Sequence, residues 1–561
     1  MIQTDGTSIF EERAEHLPRE ALARWTTLST RETLAVSKLK GGGAKLLIGP
    51  RGSGKSTLMR VAYYELLDGD DALPVYVNYA RHLALEPMFH SRPDATELFR
   101  QWVLSKMIVG CVEALHEADL VAAPDAEPML GNARSVIQDL EVGRFDYSER
   151  PMVSPTDLIS FLVSRAHDAH RKRVVLLLDD AAHAFSAQQQ REFFEIFRQL
   201  KSRVVAPKAA VYPGVTNYSS NMHIGHDAEL VEVWYRADDS EFLSTMREVL
   251  NRRLPSELLQ LFDADRQEYL NYLALASFGL PRSFLTMIQD MLEFDEDSNH
   301  YVPPTRKRAD AAIARNAENV RQVFASTGTK IPRYANLIAQ GQELEHALLA
   351  ALRAYNATRE PGSKTITVGF RQPMARQFQQ VIDLMSYAGI LRRLDTLSRG
   401  SAGIFERYEV HAGVVIDANA LSLGRSPSTR DVIASLTQRP TAGLVRTRAE
   451  SLLGSDYLSR CTLNLTPCTN CGAARASEDA QYCMRCGKPL TEKSVYAEIL
   501  RRPVSDLPIP LKKKQALEQT QLRTIQDVLL DQEFRELLRG RRIGPVWAKR
   551  ILSTAEEFVS V

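Results

Sequence analysis

Short apolar runs alternate with segments of helical periodicity in the first part of the chain. The runs lie at 45–48, 74–79, 173–178, 209–216 and 229–235, and each is too short to form a helix. Between them, stretches such as 58–67 and 188–201 place apolar side chains at helical spacing. Strands that alternate with helices predict an α/β domain, with a parallel sheet covered by helices on both faces. Ligands of such sheets bind at the carboxyl ends of the strands.

Helical patterns dominate the middle of the chain. Residues 85–155 predict a mostly helical insertion, and residues 239–293 predict a group of helices. Acidic and then basic residues at 295–335 predict an exposed connector or an exposed arm on the preceding group of helices. Residues 340–416 predict two helices followed by two strands, which a turn at Gly400 joins.

The most specific motif follows the first apolar run. Residues 49–57, Gly-Pro-Arg-Gly-Ser-Gly-Lys-Ser-Thr, fit the pattern G-x-x-x-x-G-K-[ST]. Gly52 and Gly54 let the backbone curl until successive N–H groups point inward, and the next helix adds positive potential. Lys55 is predicted to reach the β- and γ-phosphates, and the Ser56 hydroxyl to ligate Mg²⁺. The motif predicts ATP binding by Gly49, Gly52, Ser53, Gly54, Lys55, Ser56 and Thr57.

Two carboxylates end the apolar run at 173–178, where Mg²⁺ and the γ-phosphate are expected. Asp179 is predicted to hold Mg²⁺ through water, and Asp180 to orient or deprotonate the attacking water. The alternative is a solvated acidic turn after a buried strand.

Length, charge and hydropathy limit the other possibilities. At 561 residues the chain has room for roughly three or four domains. A net charge of +1 provides no global field for nucleic acid or acidic lipid, so any such site is a local patch. The apolar runs are too short to span a bilayer, and the first residues lack a signal-peptide pattern. We therefore expect a cytoplasmic protein with no membrane partner.

Two C-x-x-C pairs form the second strong motif. Four thiolates suit tetrahedral Zn²⁺, and the glycine after each pair lets the backbone fold round the metal. A redox dithiol is the rival for a single pair, and the two remaining cysteines, Cys111 and Cys461, are predicted to be ordinary core or surface residues. The stretch resembles a zinc ribbon with structural zinc on Cys468, Cys471, Cys483 and Cys486.

Together, these motifs resemble an AAA+ or STAND-type ATPase of the origin-recognition and replication-initiator branch, over roughly residues 30–295. The segment ending at Asn217 is similar to sensor 1, with Thr216 in reserve. Gly279-Leu280-Pro281-Arg282 is similar to sensor 2. The resemblance implies that Asn217 and Arg282 contact the γ-phosphate. The alternative for Arg282 is a solvent-facing side chain at the start of a helix.

Two departures from the family pattern favour slow hydrolysis. AAA+ members usually carry Asp-Glu where this chain has Asp179-Asp180, although STAND members often have Asp-Asp. No arginine lies between Asn217 and the next strand, where a finger acting in trans is expected. Arg236, Arg252 and Arg253 are possible substitutes, and the sequence selects none of them. A nucleotide switch is therefore favoured over a motor such as a helicase.

Two further regions resemble nucleic-acid-binding modules. Residues 340–416 resemble a winged helix, which binds duplex DNA in the initiator branch and packs against the nucleotide site in STAND proteins. The tail resembles the helix-hairpin-helix module of the bacterial RNA polymerase α subunit, except that Arg542 replaces the usual first glycine. Protein docking is the alternative for this module. In the winged-helix-like region, the arginines that could serve phosphates are Arg371, Arg376, Arg392, Arg393 and Arg399. The predicted DNA contacts are Arg392, Arg393, Arg541, Arg542 and Lys549.

The resulting prediction is an α/β P-loop NTPase sheet with a helical lid and three appended modules. The predicted domains are the ATPase core (1–238), lid and connector (239–335), winged-helix-like domain (336–460), zinc ribbon (461–492) and helix-hairpin-helix domain (493–561). ATP, Mg²⁺ and Zn²⁺ are the predicted cofactors, and double-stranded DNA and a homo-oligomer or partner protein are the predicted partners. The alternative function is a signalling STAND ATPase whose accessory domains bind protein, as in anti-phage defence.

Overall fold

The computed structural model describes most of the chain. It covers residues 3–4, 7–8, 14, 17–79, 94–120, 127–141, 151–181, 187–263, 266–295, 300–424, 427–437, 443–477, 480, 482–490, 495–507, 509–531, 533–541 and 543–559. A short antiparallel pair, β1 (Gln3–Thr4) and β2 (Thr7–Ser8), begins it.

A five-stranded parallel sheet forms the centre of the first half. Its strands are β3 (Lys45–Ile48), β4 (Ala72–Asn78), β5 (Arg173–Asp179), β6 (Val205–Val211) and β7 (Glu229–Glu232), in the spatial order β4-β5-β6-β3-β7. All neighbouring pairs are parallel. Strand β3 lies between β6 and β7, and its parallel register with β6 places the ends of these two strands side by side. The predicted α/β sheet is thus confirmed, although β6 begins and ends earlier than the apolar run at 209–216 indicates.

Helices cover this sheet and bury its aliphatic strands. They are α1 (Arg19–Trp25), α2 (Thr30–Lys40), α3 (Lys55–Leu67), α4 (Ala95–Glu117), α5 (Glu127–Glu141), α6 (Pro155–Asp168) and α7 (Ala187–Leu200). Helix α2 begins at a capping box. The Ser29 side chain accepts a hydrogen bond from the Glu32 backbone N–H, and the Glu32 side chain accepts one from the Ser29 backbone N–H. Strand β5 is buried from Val174 onward because helices lie on both of its faces.

A second body follows, with helices and a mixed four-stranded sheet. The helices are α8 (Phe242–Arg253), α9 (Ser256–Leu259), α10 (Gln267–Ala276), α11 (Pro281–Met291), α12 (Arg306–Lys330), α13 (Ala335–Asn356), α14 (Arg376–Tyr387), α15 (Ala412–Asp417), α16 (Thr429–Leu436), α17 (Ala449–Leu453) and α18 (Tyr457–Arg460). A hairpin of β8 (Glu293–Asp295) and β9 (His300–Val302) precedes the sheet of β10 (Thr367–Arg371), β11 (Leu391–Ser398), β12 (Ile404–Val410) and β13 (Val445–Thr447), in the order β11-β12-β10-β13. The two helices and the hairpin predicted at 340–416 are present, but strand β10, which the prediction lacks, lies between the helices.

The predicted exposed connector at 295–335 is wrong over most of its length. Its larger part is helix α12, which Thr305 caps by accepting from the Arg308 backbone N–H. Ala309, Ala312 and Ile313 recur at helical spacing and are buried. Of the basic triplet that suggested an exposed segment, only Lys307 is exposed, whereas Arg306 and Arg308 are half-buried. The Arg306 guanidinium lies over the Tyr272 ring, 4.5 Å from its centroid.

One hydrophobic core joins the segments predicted as lid and winged-helix-like domain. Buried side chains from α1, from the helices between 242 and 330 and from β10 to β13 belong to the same cluster. We call residues 234–461 the lid–sheet body. A separate cluster holds the last helices together: α19 (Val495–Leu500), α20 (Leu511–Glu518), α21 (Ile525–Leu530) and α22 (Pro545–Val559).

Short 3₁₀ turns complete the described structure, at Pro332–Tyr334, Pro361–Ser363, Gly400–Ala402, Val504–Asp506 and Leu537–Arg539. Within the described residues, no helix combines the length and the apolar character needed to cross a membrane.

Candidate functional site

The phosphate loop lies between β3 and α3, with the geometry that its sequence predicts. Gly52 and Gly54 have φ values of 79° and 96°, in the left-handed region that glycine tolerates. The Ser53 hydroxyl is buried and has no hydrogen-bond partner among the described residues. An orphaned hydroxyl inside a loop of this shape fits a site for phosphate oxygens. Ser56 and Thr57, in the first turn of α3, are half-buried at the same end.

Lys55 is the buried cation of the loop. Its Nζ donates to the carbonyl oxygens of Gly49 at 2.7 Å and Pro50 at 3.0 Å. Burial lowers the pKa of Lys55 to about 7, against the opposing effect of Asp180 and Asp179. An ammonium group in this environment gains from an added anion, so the residues present fit the phosphates of a nucleotide.

The two carboxylates lie at the end of β5 and have different surroundings. Asp179 is 1% exposed and accepts from the Tyr76 hydroxyl at 2.8 Å and from the Asp180 backbone N–H at 3.0 Å. Asp180 has a φ of 52°, uncommon for a residue with a side chain, and accepts from the Tyr212 hydroxyl at 3.1 Å. Their proximity to Lys55 argues against the alternative of a solvated acidic turn.

Asn217 lies beyond the end of β6 and contacts α7. Its side-chain amide donates to Gln190 Oε1 at 2.8 Å and to the Val215 carbonyl at 3.1 Å. Thr216, the reserve residue, donates from its hydroxyl to the Tyr212 carbonyl at 2.8 Å. The structure therefore holds this turn through side chains, and it brings Tyr212 toward Lys55.

Arg282 approaches the phosphate loop from the lid–sheet body. Its backbone N–H lies 3.5 Å from the Gly52 carbonyl, and a Cβ added to Gly52 would be 2.9 Å from the Arg282 Cβ. The charge of Arg282 contributes to the lowered pKa of Lys55.

Just before α11, Gly279 has a φ of 78°, and any Cβ there would be 2.0 Å from the Tyr235 carbonyl. That close approach requires glycine.

Two tyrosines at the site are absent from the sequence prediction. The Tyr212 ring centroid lies 4.0 Å from Lys55 Nζ, and the Tyr387 ring contacts Tyr212 edge-on at 5.6 Å. Tyr387 ends α14 in the lid–sheet body, and the Asp383 carbonyl lies 2.5 Å from an ideal Cβ on Gly214. The position of Tyr212, directly after a buried strand, was the available signal for this residue. No local pattern marks Tyr387.

The four cysteines of the two C-x-x-C pairs converge as predicted. All of their sulfurs lie within 4.8 Å of one another, with Cys468–Cys486 and Cys471–Cys483 separations of 3.6 Å. Zinc bonds of about 2.3 Å in a tetrahedron place sulfurs about 3.8 Å apart, so this donor set fits Zn²⁺.

Each pair is folded by the same backbone turn. Gly472 and Gly487 have φ values of 68° and 67°, and their N–H groups donate 2.8 Å bonds to the carbonyls of Cys468 and Cys483. Tyr482, just before the second pair, is 62% exposed.

The residues predicted to contact DNA have different environments. The prediction for Arg392 is wrong, because its side chain is buried between the rings of Trp234 and Phe278 and donates to the Phe278 carbonyl at 2.7 Å. Arg393 is 65% exposed and is paired with Glu406.

In the last helical unit, Arg541 is exposed and Lys549 half-buried. Arg542 lies outside the described residues.

Comparisons with known proteins identify no family for this chain. No family model matches it, and no curated protein matches it. Among solved structures, it is similar to Cdc6p from Pyrobaculum aerophilum at 12% identity, over 76% of this chain and 98% of that one, with a TM-score of 0.28. At that TM-score we infer nothing from the likeness, and the strand order and loop geometry described above stand by themselves.

Proposed function

We propose that this protein is an ATP-controlled, DNA-associated switch of the AAA+ or STAND type. The observation that carries the proposal is the contact of the lid–sheet body with the phosphate loop, through Arg282 at Gly52 and Tyr387 at Tyr212. A nucleotide in the loop lies at a junction between two bodies, so its phosphates set how these bodies are arranged. Differential contacts of this kind are what a ligand needs to shift a conformational equilibrium.

Each side chain has a role in this proposal. Lys55 and the loop amides bind the phosphates, Ser56 and Asp179 hold Mg²⁺, and Arg282 senses the γ-phosphate. Mg²⁺ neutralises charge on the phosphates when bound. Asp180 orients the attacking water, and its strained backbone and short side chain fit slow hydrolysis. Asn217 contacts the γ-phosphate, and Thr216 holds Tyr212 in place through two hydrogen bonds.

The proposed zinc site is structural, because four protein ligands leave no open position on the metal. Metal analysis of the purified protein is expected to find one zinc per chain. Its absence, or retention of the metal after Cys468→Ser/Cys471→Ser substitution, would exclude this site.

Duplex DNA is the proposed partner, with exposed Arg541 and half-buried Lys549 of the last helical unit as phosphate contacts. Filter binding with and without ATP tests this, alongside the particle size under the same conditions. We expect ATP to change retention or assembly, and Lys55→Ala to remove that change. Indifference to DNA at low salt would instead favour the signalling function.

A further inference from the structure

Arg392 is a buried arginine to which the proposed function gives no role. It lies in β11 and is 2% exposed, and its guanidinium carbon is 4.1 Å from the centroid of the Trp234 ring and 4.5 Å from that of Phe278. Glu409, on the neighbouring strand β12, is a carboxylate partner at 3.4 Å. Burying a guanidinium group is costly unless hydrogen bonds and an ion pair compensate, so the contacts of Arg392 indicate what it holds.

The backbone carbonyl of Phe278 receives two side-chain donors. Arg392 Nη2 donates to it at 2.7 Å, and the indole Nε1–H of Trp234 donates to it at 2.7 Å as well. A carbonyl oxygen has two lone pairs, which these two donors can fill. The donors come from different elements, because Trp234 follows β7 of the parallel sheet and Arg392 belongs to the four-stranded sheet. The position of the Phe278 carbonyl is therefore set by both sheets.

This carbonyl belongs to a turn with a strained backbone. Phe278 has a φ of 57° and Gly279 one of 78°, so two successive residues lie in the left-handed region. For a bulky side chain such as that of phenylalanine this conformation costs free energy, and it persists only where the surrounding contacts impose it. The two donors to the Phe278 carbonyl and the close packing of Gly279 on the Tyr235 carbonyl provide such contacts.

The turn leads directly into α11, which carries Arg282. Pro281 is the first residue of the helix and Arg282 the second, with its backbone N–H 3.5 Å from the Gly52 carbonyl. Only four positions separate Arg282 from the carbonyl that Arg392 holds. A change in the backbone of the turn therefore redirects the start of α11, and with it the approach of Arg282 to the phosphate loop.

We infer that Arg392 is a positioning residue for Arg282 and acts through the Phe278 carbonyl and the turn at Gly279. The inference rests on the proposed function, in which Arg282 senses the γ-phosphate, and adds the group that orients this sensor. It also links the sensor to β11, so that the four-stranded sheet contributes to the arrangement of the nucleotide site.

The test measures the preference of the full-length protein for ATP, as the ratio of the ADP and ATP dissociation constants from calorimetric titrations. Arg282→Ala gives the ratio without the sensor. Arg392→Met removes one donor to the Phe278 carbonyl, and Trp234→Phe removes the other while it keeps a ring beside Arg392. We expect both variants to lower the preference for ATP by at least about fivefold, the lower end of typical coupling between sites.

Arg407→Met is the matched control. Arg407 is 5% exposed in the adjacent strand β12 and is paired with Asp395. Its replacement should leave the preference for ATP within about twofold, as expected for a position that is not coupled to Arg282. An equal loss of preference in Arg407→Met and Arg392→Met would reflect a general effect of burying fewer cations in this sheet and would overturn the inference.

Combined substitutions separate positioning from a general effect on the fold. If Arg392 acts through Arg282, adding Arg392→Met to Arg282→Ala lowers the preference for ATP no further, whereas independent effects multiply. Multiplied effects would overturn the inference. If Arg392→Met does not fold, Trp234→Phe with and without Arg282→Ala gives the same decision.

The inference and the proposed function fail in different ways. An unchanged preference for ATP in Arg282→Ala would overturn both the sensor role in the proposed function and the inference. Loss of the preference in Arg282→Ala, with a wild-type ratio in both Arg392→Met and Trp234→Phe, would overturn the inference alone.

Discussion

Two lysines of the ATPase core, Lys55 at the start of α3 and Lys208 in β6, are both buried but have different neighbours. Lys55 donates to the carbonyls of Gly49 and Pro50, and Lys208 donates to that of Gly41 at 2.8 Å. Burial lowers the pKa of each to about 7. Beside Lys55 lie two carboxylates and an arginine from another body, whereas Lys45 and Arg173 lower the pKa of Lys208 further.

The difference shows that a buried cation alone does not mark a functional site. Lys208 holds the glycine turn between α2 and β3 by donating to carbonyl oxygens of that turn. Lys55 occupies a loop with an unpartnered hydroxyl and faces groups from several strand ends. Convergence of separate elements, rather than an unusual pKa, distinguishes the two.

The largest expected effect is on nucleotide binding. Lys55→Ala removes an ammonium that makes charge-assisted hydrogen bonds of roughly 1.5–3 kcal/mol each to phosphate, so ATP affinity should fall at least about 100-fold. Lys208→Met is the matched control and should leave affinity within about twofold, since its contacts lie away from the loop. Calorimetric titration with ATP measures both. Equal losses in the two variants would abolish the distinction.

Arg392 is a third buried cation, and its contribution can be measured as a change in the free energy of unfolding. Arg392→Met leaves Glu409, which is 6% exposed, without its partner, and should lower the free energy of unfolding by about 3 kcal/mol. Arg393→Met on the same strand should cost less, because Arg393 is exposed and its buried partner Glu406 also accepts hydrogen bonds from the side chains of Tyr408 and Gln372. Urea denaturation gives both values. Similar costs would mean that Arg392 is solvated in solution.

Replacing Lys208 is expected to lower the free energy of unfolding by less than replacing Arg392. Lys208→Met deprives the carbonyls at Gly41 to Gly43 of a donor, which should cost about 2 kcal/mol near neutral pH. Because the pKa of Lys208 is lowered in the folded state, the unfolded chain binds more protons between about pH 7 and 10.4, and stability rises with pH there. The variant should lose this contribution to the pH dependence. An identical pH profile would show that Lys208 is charged in the folded protein.

Sequence reasoning located the phosphate loop, the strands and the cysteine cluster because each depends on local pattern. It missed Tyr387, since a contact with Tyr212 across 175 positions depends on how two bodies pack. The burial of Arg392 could be predicted only in part from the sequence. Neighbouring residues on a strand face opposite sides, so one of Arg392 and Arg393 had to point inward, but the sequence does not say which. The spacing of its apolar residues was enough to predict helix α12, but the charged residues in the same segment favoured an exposed connector instead.

The smallest expected effect is a proton taken up when ATP binds. Phosphate favours the charged form of Lys55, so its pKa of about 7 should rise on binding, and above that pH the complex holds a proton that the free protein lacks. Affinity should then fall with rising pH, by at most about tenfold per unit. Titrations at pH 8 in buffers of different ionisation enthalpy measure this uptake. Lys208→Met should retain it and Lys55→Met should lose it; uptake that survives in Lys55→Met would assign the proton to another group.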